Sequence, residues 1–402
     1  MYIPSKFLSN LIISEQVGVF CESNSQGEHA IIAKLSSSTI KSISLGAKVE
    51  FFVYFSQNAP HYIGLVLKIY DNQENPMHAI LAQRWESNAN QLNSRFFNKP
   101  ITLVLFDETD APVMFCSLKI KINFRNKRIL HLLDNSKFRS CNNYSETNNF
   151  MDDICIHLQL IPSVSKHNKL IPFKFNTDIE GIHSMLTIHV NEQTAINYDI
   201  SHDIDGSRQE KQIAQALSLL KNSSTYLSPV VNIGKKEREL TDILTIIDEN
   251  SFIAVESKCL QINLESVDKS YDRLSASIIK HVKKAINQLE GVYKALSRGE
   301  KLYTSKGVII DYATEIPFYG IILIDDFRYS DDWSDLIHSI KALNKNYGII
   351  VNIICVSELI YSIKVCHSNP YSLIQTLDER YKLSTSVNSP NVKVIDSSLP
   401  VM

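Results

Sequence analysis

The sequence lacks the features that mark several common classes of protein. None of its seven cysteines belongs to a CxxC pair, so neither a zinc ribbon nor a disulfide scaffold is indicated. No apolar run is long enough to span a membrane, and Met1–Leu11 lacks the basic and long apolar regions of a signal peptide. We therefore expect a cytoplasmic chain with reduced cysteines and no membrane attachment.

Charge and motif patterns exclude further classes. The formal net charge is −2, so no global positive field of the histone type indicates nucleic acid. Neither the P-loop pattern GxxxxGK(S/T) nor GxGxxG occurs, which argues against a nucleotide-driven motor. The 12 histidines are scattered without an HxxxH pair, so a histidine-based metal site is not expected.

Residues 1–125 have the pattern of a β-rich recognition module. Five stretches combine β-branched and aromatic residues, and polar turns separate them. They are His29–Leu35, Lys48–Ser56, Tyr62–Asp71, Pro100–Asp107 and Val113–Ile122. A small barrel or sandwich is predicted, with a helix or long loop over Gln83–Asn98. The sequence does not indicate which ligand or partner this module binds.

Residues 126–200 are expected to form a linker and additional strands of uncertain ownership. Ser140–Asn149 is a polar stretch typical of a linker. Strands are predicted over Ile154–Ile161 and Ser184–Val190. The basic residues of Asn123–Asn149 have two interpretations, nucleic-acid binding and a solvated linker, of which the second is favoured.

From residue 201 to 385 helix and strand patterns alternate, which indicates a mixed α/β domain. Helices are predicted over Ser207–Lys221, Ser277–Leu296, Ser334–Leu343 and Glu358–Tyr381, and strands over Tyr226–Ile233, Arg238–Ile247, Phe252–Cys259, Gly307–Ile310, Tyr319–Ile324 and Gly348–Cys355. Residues 386–402 are expected to be a loose tail. The predicted fold class is therefore α+β or α/β, with a β-rich module before a mixed α/β domain.

The predicted hairpin Leu240–Lys258 carries the candidate chemistry. Because side chains alternate along a strand, Glu256 and Lys258 lie on one face. A three-residue loop would pair Ile247 with Ser251 and place Asp242 opposite Glu256, whereas a two-residue loop would turn Asp242 to the other face. Two facing carboxylates repel unless a cation lies between them, and Mg²⁺ prefers oxygen ligands.

Asp242, thirteen intervening residues and then Glu256-Ser257-Lys258 resemble the PD-(D/E)xK motif of restriction-endonuclease-like nucleases. The order of elements over residues 207–310 is similar to the core of that family, and the match covers about a quarter of the chain. The resemblance implies Mg²⁺ or Mn²⁺ held by Asp242 and Glu256, with the Ser257 carbonyl as a further candidate ligand. It also implies that Lys258 serves the attacking water. Thr241 stands where the motif's name has proline, a position that varies widely in the family.

The bare pattern is weak, because about one accidental match is expected in a chain of this length. Its context strengthens it, since three charges interrupt apolar strands on one predicted face between two helices. The alternative is an edge hairpin that carries solvent-exposed charges.

Two more residues are candidates on the flanking helices. Many nucleases of this type carry an acidic metal ligand where Glu210 lies, but Ser207-x-x-Glu210 is also a capping box. A subset of the family has a glutamine on the second helix, followed four residues later by tyrosine. Here Tyr293 follows Gln288 by five residues. Gln288 is predicted to support the catalytic face or a DNA phosphate, and otherwise is a polar residue at the helix boundary.

Other charged groups are weaker candidates. Two basic groups either contact phosphates or form solvated surface: Lys235, Lys236 and Arg238 before the hairpin, and Lys280, Lys283 and Lys284 on the second helix. Asp325–Asp326 and Asp331–Asp332 are rejected as a metal site, because the first pair ends a strand and the second begins a helix.

The sequence thus predicts a two-part cytoplasmic nuclease that cleaves DNA with Mg²⁺ or Mn²⁺. By analogy, its fused N-terminal module suggests restriction or phage defence. A homodimer would supply the two sites that a duplex break needs. The alternatives are a non-catalytic module that binds nucleic acid or protein, with a structural nuclease-like fold, and a nuclease directed at RNA or structured junctions.

Overall fold

The computed structural model describes residues 2–57, 62–84, 92–122, 124–135, 144–162, 170–190, 195–233, 236–248, 251–258, 268–314, 317–330 and 332–392. These residues form a mixed α/β structure with one eight-stranded sheet and sheets of two, four and five strands. Among them, no helix combines the length and the apolar character that crossing a membrane requires.

The chain divides into two compact units. The first is mainly Met1–Thr187, and the second is mainly His202–Ile262 and Lys269–Met402.

The first unit is built around the eight-stranded sheet. Its helices are α1 (Lys6–Ser14), α2 (Ser37–Ser44), α3 (Ser94–Phe97), α4 (Phe124–Asn135) and α5 (Tyr144–His157). Its strands are β1 (Gly18–Ser23), β2 (His29–Lys34), β3 (Val49–Ser56), β4 (Ile63–Ile69), β5 (Met77–Ala82), β6 (Ile101–Phe106), β7 (Pro112–Lys121) and β8 (Leu170–Ser184). The strand order is β1-β2-β6-β7-β8-β3-β4-β5, with β2 and β6 parallel.

This sheet nearly closes on itself. Its two edge strands approach each other, and the Gln83 side chain after β5 donates a hydrogen bond to the Val19 carbonyl of β1 at 3.1 Å. Strand β2 is buried along its whole length, and on one face Leu8 and Ile12 of α1 pack in the same cluster as Ile32. Burial on both faces explains the nearly continuous apolar runs of these strands.

The five strands predicted in residues 1–125 are confirmed as β2, β3, β4, β6 and β7, while α1, α2, β1 and β5 were not predicted. In Gln83–Asn98 the structure shows α3, and residues 85–91 lie outside the described residues. Strand β8 was also missed, although it pairs with both β3 and β7.

The predictions for residues 126–200 are confirmed only in part, because additional strands do occur there. Ile154–Ile161 is not a strand, since its first half belongs to α5, and Tyr144–Asn149 begins that helix instead of forming a linker. Phe150 and Ile154, spaced one helical turn apart, pack on β3 and β4. Ser184–Val190 is split between the end of β8 and the separate strand β9 (Thr187–Val190), which pairs with β10 (Ala195–Tyr198). In the basic group, Lys127 lies exposed on α4, and Lys137 and Arg139 are outside the described residues.

The second unit contains a five-stranded sheet and a four-stranded sheet. Its helices are α6 (Asp205–Leu217), α7 (Tyr271–Ser297), α8 (Ser334–Tyr347), α9 (Val356–Val365) and α10 (Pro370–Val387). Its strands are β11 (Ser223–Leu227), β12 (Val230–Ile233), β13 (Lys236–Glu239), β14 (Ile243–Ile247), β15 (Ser251–Lys258), β16 (Leu302–Tyr303), β17 (Ile309–Ile310), β18 (Phe318–Ile324) and β19 (Ile350–Cys355). The orders are β11-β14-β15-β18-β19 and β13-β12-β16-β17.

Helices cover both faces of the five-stranded sheet. On one face Leu244 and Ala254 belong to a core with α7 and α8. On the other face Ile243 and Val255 belong to a core with α6, α9 and α10. Strands β15, β18 and β19 are parallel, so their carboxyl ends meet at one edge of the sheet.

The predicted hairpin register is confirmed, because Ile247 pairs with Ser251 across a three-residue loop. In that loop Asp248 has a left-handed φ of 41°, and residues 249 and 250 lie outside the described residues.

Three element boundaries in this unit differ from the prediction. Tyr226–Ile233 breaks at Ser228, whose φ is 46°, so Pro229 connects two strands of different sheets. Arg238–Ile247 is likewise divided between β13 and β14. Glu358–Tyr381 is two helices, α9 and α10.

The start of the predicted loose tail is ordered. Helix α10 continues to Val387, and the buried Arg380 donates hydrogen bonds to the carbonyls of Pro390 and Val392 at 2.8 and 2.7 Å. The prediction was therefore wrong for residues 386–392, and residues 393–402 lie outside the described residues.

Gly320 of β18 allows α7 to approach the sheet closely. A Cβ atom there would lie 2.8 Å from Leu289 Cδ1 and 3.2 Å from Val351 Cγ2, and both side chains are buried. We expect Gly320→Ala to lower the free energy of unfolding by about 1–3 kcal/mol, as overpacking does. Urea denaturation measures it. The matched control is Gly291→Ala on α7, whose Cβ meets nothing within 4 Å. Equal stability of Gly320→Ala and wild type would contradict this view of the contact.

Candidate active site

The site begins where β14 and β15 lie side by side. The pairing of Ile243 with Val255, continued by one residue, places Asp242 opposite Glu256 as predicted. The backbone N–H of Ser257 donates to Asp242 Oδ2 at 2.6 Å, which ties this carboxylate to β15.

Lys258 lies between the two carboxylates. Its Nζ is 2.8 Å from Glu256 Oε2 and 3.7 Å from Asp242 Oδ2. The Glu256 side chain is only 1% exposed, and its other oxygen lies 3.0 Å from the Thr241 hydroxyl. Glu256 is therefore buried, Asp242 and Lys258 are partly buried, and the two strands lie inside the five-stranded sheet, which argues against the alternative of an edge hairpin with solvent-exposed charges.

The environment of Glu256 disfavours its ionised form. Burial raises the pKa of Glu256, and the neighbouring Asp242 raises it further, although Lys258 and Thr241 oppose the shift. Because the pKa is raised despite a directly bonded ammonium group, the ionised pair would gain from additional positive charge.

Glu210 extends this acidic region from α6. The helix begins at Asp205, with Ile204 at the N-cap, so Ser207 is inside the first turns and the capping-box alternative is wrong. Burial raises the pKa of Glu210 to about 7, with further contributions from Asp242 and Glu239. Glu210 thus lies within electrostatic reach of the hairpin carboxylates.

The pKa of Glu210 predicts a pH dependence of stability. A carboxyl whose folded pKa is raised from 4.5 to about 7 stabilises the fold fully below pH 4.5, and this contribution is lost as the pH rises through 7. We expect the melting temperature of wild type to fall relative to Glu210→Gln across this range, as measured by thermal melts at several pH values. Glu379→Gln, at an exposed position of α10, is the control. A constant difference between wild type and Glu210→Gln would refute the expectation.

Gln288 lies on α7, the helix that covers the face of the sheet holding Ala254 and Glu256. Its Oε1 is buried and has no hydrogen-bond partner among the described residues. No hydrogen bond joins this oxygen to Asp242, Glu256 or Lys258. Tyr293 packs against Phe318 and Tyr347. Gln288 therefore has a buried amide oxygen on the helix that covers this face of the sheet, and its role stays a prediction.

Three residues near the site were missed in the sequence. Thr241 contacts Glu256, and Gln209 on α6 accepts a hydrogen bond from the Ser257 hydroxyl. Burial lowers the pKa of His281 on α7, and nearby Lys258 lowers it further. Thr241 stands at the proline position of the motif and directly precedes Asp242, but no role was assigned to it, and the sequence signal for Gln209 is that it directly precedes Glu210.

Asp325 after β18 and Asp332 before α8 accept hydrogen bonds from different kinds of partner. Asp325 follows Ile324, the partner of Lys258 in the parallel pairing, and accepts a hydrogen bond from Gln209 Nε2 at 3.2 Å. Asp332 instead accepts from the Ser334 N–H at the start of α8, as predicted, and Asp331 is outside the described residues.

The basic groups lie mainly on the surface. The exposed members that the structure describes are Lys236 and Arg238 on β13, and Lys280, Lys283 and Lys284 on α7. Lys235 is outside the described residues.

The donor set fits one divalent cation with few protein ligands. Among the described residues, no group of three or more His, Cys, Asp or Glu side chains is arranged to hold a metal. Mg²⁺, however, is usually bound by one or two carboxylates and completed by water and phosphate oxygens. Asp242 and Glu256 supply two carboxylates, and the raised pKa of Glu256 is consistent with a site that favours a cation.

Comparisons with known proteins add no identification. No family model, no curated protein and no solved structure matches the chain.

Proposed function

We propose that the second unit is a metal-dependent nuclease domain of the PD-(D/E)xK type, which hydrolyses phosphodiester bonds. The observation that carries the proposal is the buried group of Asp242, Glu256 and Lys258 at the end of β15. The order α6, β11, β14–β15 hairpin, α7 and β18 supports a restriction-endonuclease-like fold for this unit.

In the proposed mechanism Asp242 and Glu256 would hold Mg²⁺ or Mn²⁺, with the Ser257 carbonyl as a further ligand. Glu210, which was a candidate ligand in the sequence, would add negative charge near the ion without coordinating it directly. When bound, the metal supplies an acidified water and neutralises charge on the phosphate. Lys258 exchanges its bond to Glu256 for one to the attacking water or to the phosphate oxygens, whose charge it stabilises. Because Glu210 has a pKa of about 7, its ionised form becomes more available as the pH rises through neutrality.

Gln288 is proposed as a supporting residue on α7. Its buried Oε1 can accept a hydrogen bond from a water molecule or from Lys258 once that side chain moves.

DNA is the proposed substrate, and the first unit is the proposed recognition module. One site of this type cuts one strand, so duplex cleavage would use a homodimer or two sequential events. A role in restriction or phage defence is part of the same proposal by analogy.

The test is cleavage of supercoiled plasmid, linear duplex, single-stranded DNA and RNA in Mg²⁺, Mn²⁺ or EDTA. We expect metal-dependent cutting by wild type and by Asp335→Asn, which changes an exposed acid on α8, but not by Asp242→Asn. The substrate panel separates a DNA nuclease from one directed at RNA. Equal cutting by wild type and Asp242→Asn would refute the site, and absence of cutting on the whole panel would count against the function.

The alternative is a non-catalytic binding module. It is favoured by one observation, that Lys258 and Thr241 already bond both oxygens of Glu256 without any metal. In that case Mg²⁺ and Mn²⁺ would support no cleavage, and Glu256→Gln would leave nucleic-acid binding unchanged.

A further inference from the structure

A buried glutamine joins three elements beside the proposed metal site. Gln209 on α6 is 3% exposed, and its side-chain amide is bonded on both sides. Its Oε1 accepts from the Ser257 hydroxyl of β15, and its Nε2 donates to Asp325 Oδ1 after β18 at 3.2 Å. The orientation is fixed by chemistry, because a carboxylate only accepts and the amide nitrogen must therefore face Asp325.

The contact reaches the candidate metal ligands through Ser257. This residue separates Glu256 from Lys258, and its own N–H donates to Asp242 Oδ2 at 2.6 Å. Gln209 therefore bonds to the side chain of Ser257, while the backbone of Ser257 bonds to Asp242. A shift of the Ser257 peptide would move Asp242 and would also change the direction in which its two neighbours project.

The side chain of Gln209 differs in its partners from the other buried polar groups of α6. Ile213 and Leu217 of this helix lie in one apolar core with Ile253 and Val255. Arg208 and Gln212 are also buried on α6 and are hydrogen-bonded to each other, whereas Gln209 bonds to Ser257 and Asp325 of two strand ends. Burying the Gln209 amide costs hydration that these two hydrogen bonds replace. The hydrogen bond between Gln209 and Ser257 lies at the carboxyl end of β15, beside Glu256 and Lys258 of the proposed site.

We propose that Gln209 is a positioning residue for the metal site, acting through Ser257 on Asp242 and on the Glu256–Lys258 segment. The inference rests on the proposed function. Gln209 bonds to Ser257 and Asp325 and not to a candidate carboxylate ligand, so we expect its loss to change how tightly the site holds the ion more than how it binds nucleic acid.

The experiment measures cleavage as a function of Mg²⁺ concentration. We expect Gln209→Met to raise the Mg²⁺ concentration for half-maximal rate about tenfold, with the KM for nucleic acid unchanged. Ser257→Ala breaks the same bond at a less buried position and should give the same shift. The double variant should be no worse than Gln209→Met alone, because all three variants lack the hydrogen bond between Gln209 and Ser257.

The matched control is Gln212→Met. Gln212 is also buried on α6, and its Oε1 accepts a hydrogen bond from Arg208 of the same helix at 3.2 Å. A change in Mg²⁺ dependence in Gln212→Met as large as in Gln209→Met would overturn the inference, as would additive effects of Gln209→Met and Ser257→Ala. If wild type cleaves and Gln209→Met has unchanged Mg²⁺ dependence, the inference alone fails. If wild type cleaves nothing, the proposed function fails and the inference falls with it.

Discussion

Glu256→Gln and Asp242→Asn are each expected to lower the cleavage rate by about a thousandfold while the protein stays folded. A bound metal contributes several kcal/mol of charge stabilisation to the transition state, and about 4 kcal/mol corresponds to a thousandfold in rate. Both substitutions preserve size. Asn at position 242 keeps an oxygen that can accept from the Ser257 N–H, and Gln at position 256 keeps an oxygen for Lys258 while its amide nitrogen can donate to the Thr241 hydroxyl, so the loss would come from the missing charge.

Stability separates this prediction from simple unfolding. Because the pKa of Glu256 is raised, its ionised form is disfavoured in the fold, and stability is lost as the pH rises above the ordinary value of 4.5. Glu256→Gln removes this penalty, so at pH 8 its melting temperature should equal or exceed that of wild type.

Cleavage rates and thermal melts on the same samples provide the check. Glu290→Gln, which changes an acid bonded to Lys294 elsewhere on α7, is the matched control. Full activity of Glu256→Gln would contradict the assignment. A melting temperature well below wild type would mean that the activity loss reports unfolding.

Lys258→Met should impair both activity and stability. Loss of a positioned cation typically lowers catalysis about a hundredfold to a thousandfold. The substitution also leaves Glu256, which is 1% exposed, without its ammonium partner, so we expect about 3 kcal/mol of destabilisation at pH 8. At pH 5 the loss should be smaller, because without Lys258 the pKa of Glu256 rises further and the carboxyl is protonated. Urea denaturation at the two pH values measures the difference.

A second substitution identifies the cause of that instability. The double variant Lys258→Met/Glu256→Gln has no unpaired buried charge, so its stability should return toward wild type at pH 8 while its activity stays low. An equal stability loss at both pH values, persisting in the double variant, would show that Lys258 acts through packing and not through charge.

The local geometry of the candidate site could be predicted from the sequence because it depends on one hairpin. Strand alternation and a three-residue loop are short-range properties, and they place Asp242 opposite Glu256. Contacts that join distant segments could not be found in the same way. Gln209 lies 48 residues from Ser257 and 116 from Asp325, and nothing in their spacing predicts that they meet.

The errors in the fold have related causes. Apolar and β-branched residues over Ile154–Ile161 suggested a strand, but the buried pair of Phe150 and Ile154 is spaced for a helix. Alternation also does not tell which sheet a strand joins, so β13 and β14 appeared continuous although they belong to different sheets. The capping-box interpretation of Glu210 failed because α6 starts two residues before Ser207.

The proposed chemistry depends most directly on metal binding by the two hairpin carboxylates. Mn²⁺ titration of wild type and of the Asp242→Asn/Glu256→Gln double variant, followed by the electron paramagnetic resonance signal of the free ion, measures this binding. We predict one bound Mn²⁺ per chain in wild type and loss of that binding in the folded double variant. Equal binding of Mn²⁺ by both proteins would contradict the central claim that Asp242 and Glu256 hold the metal.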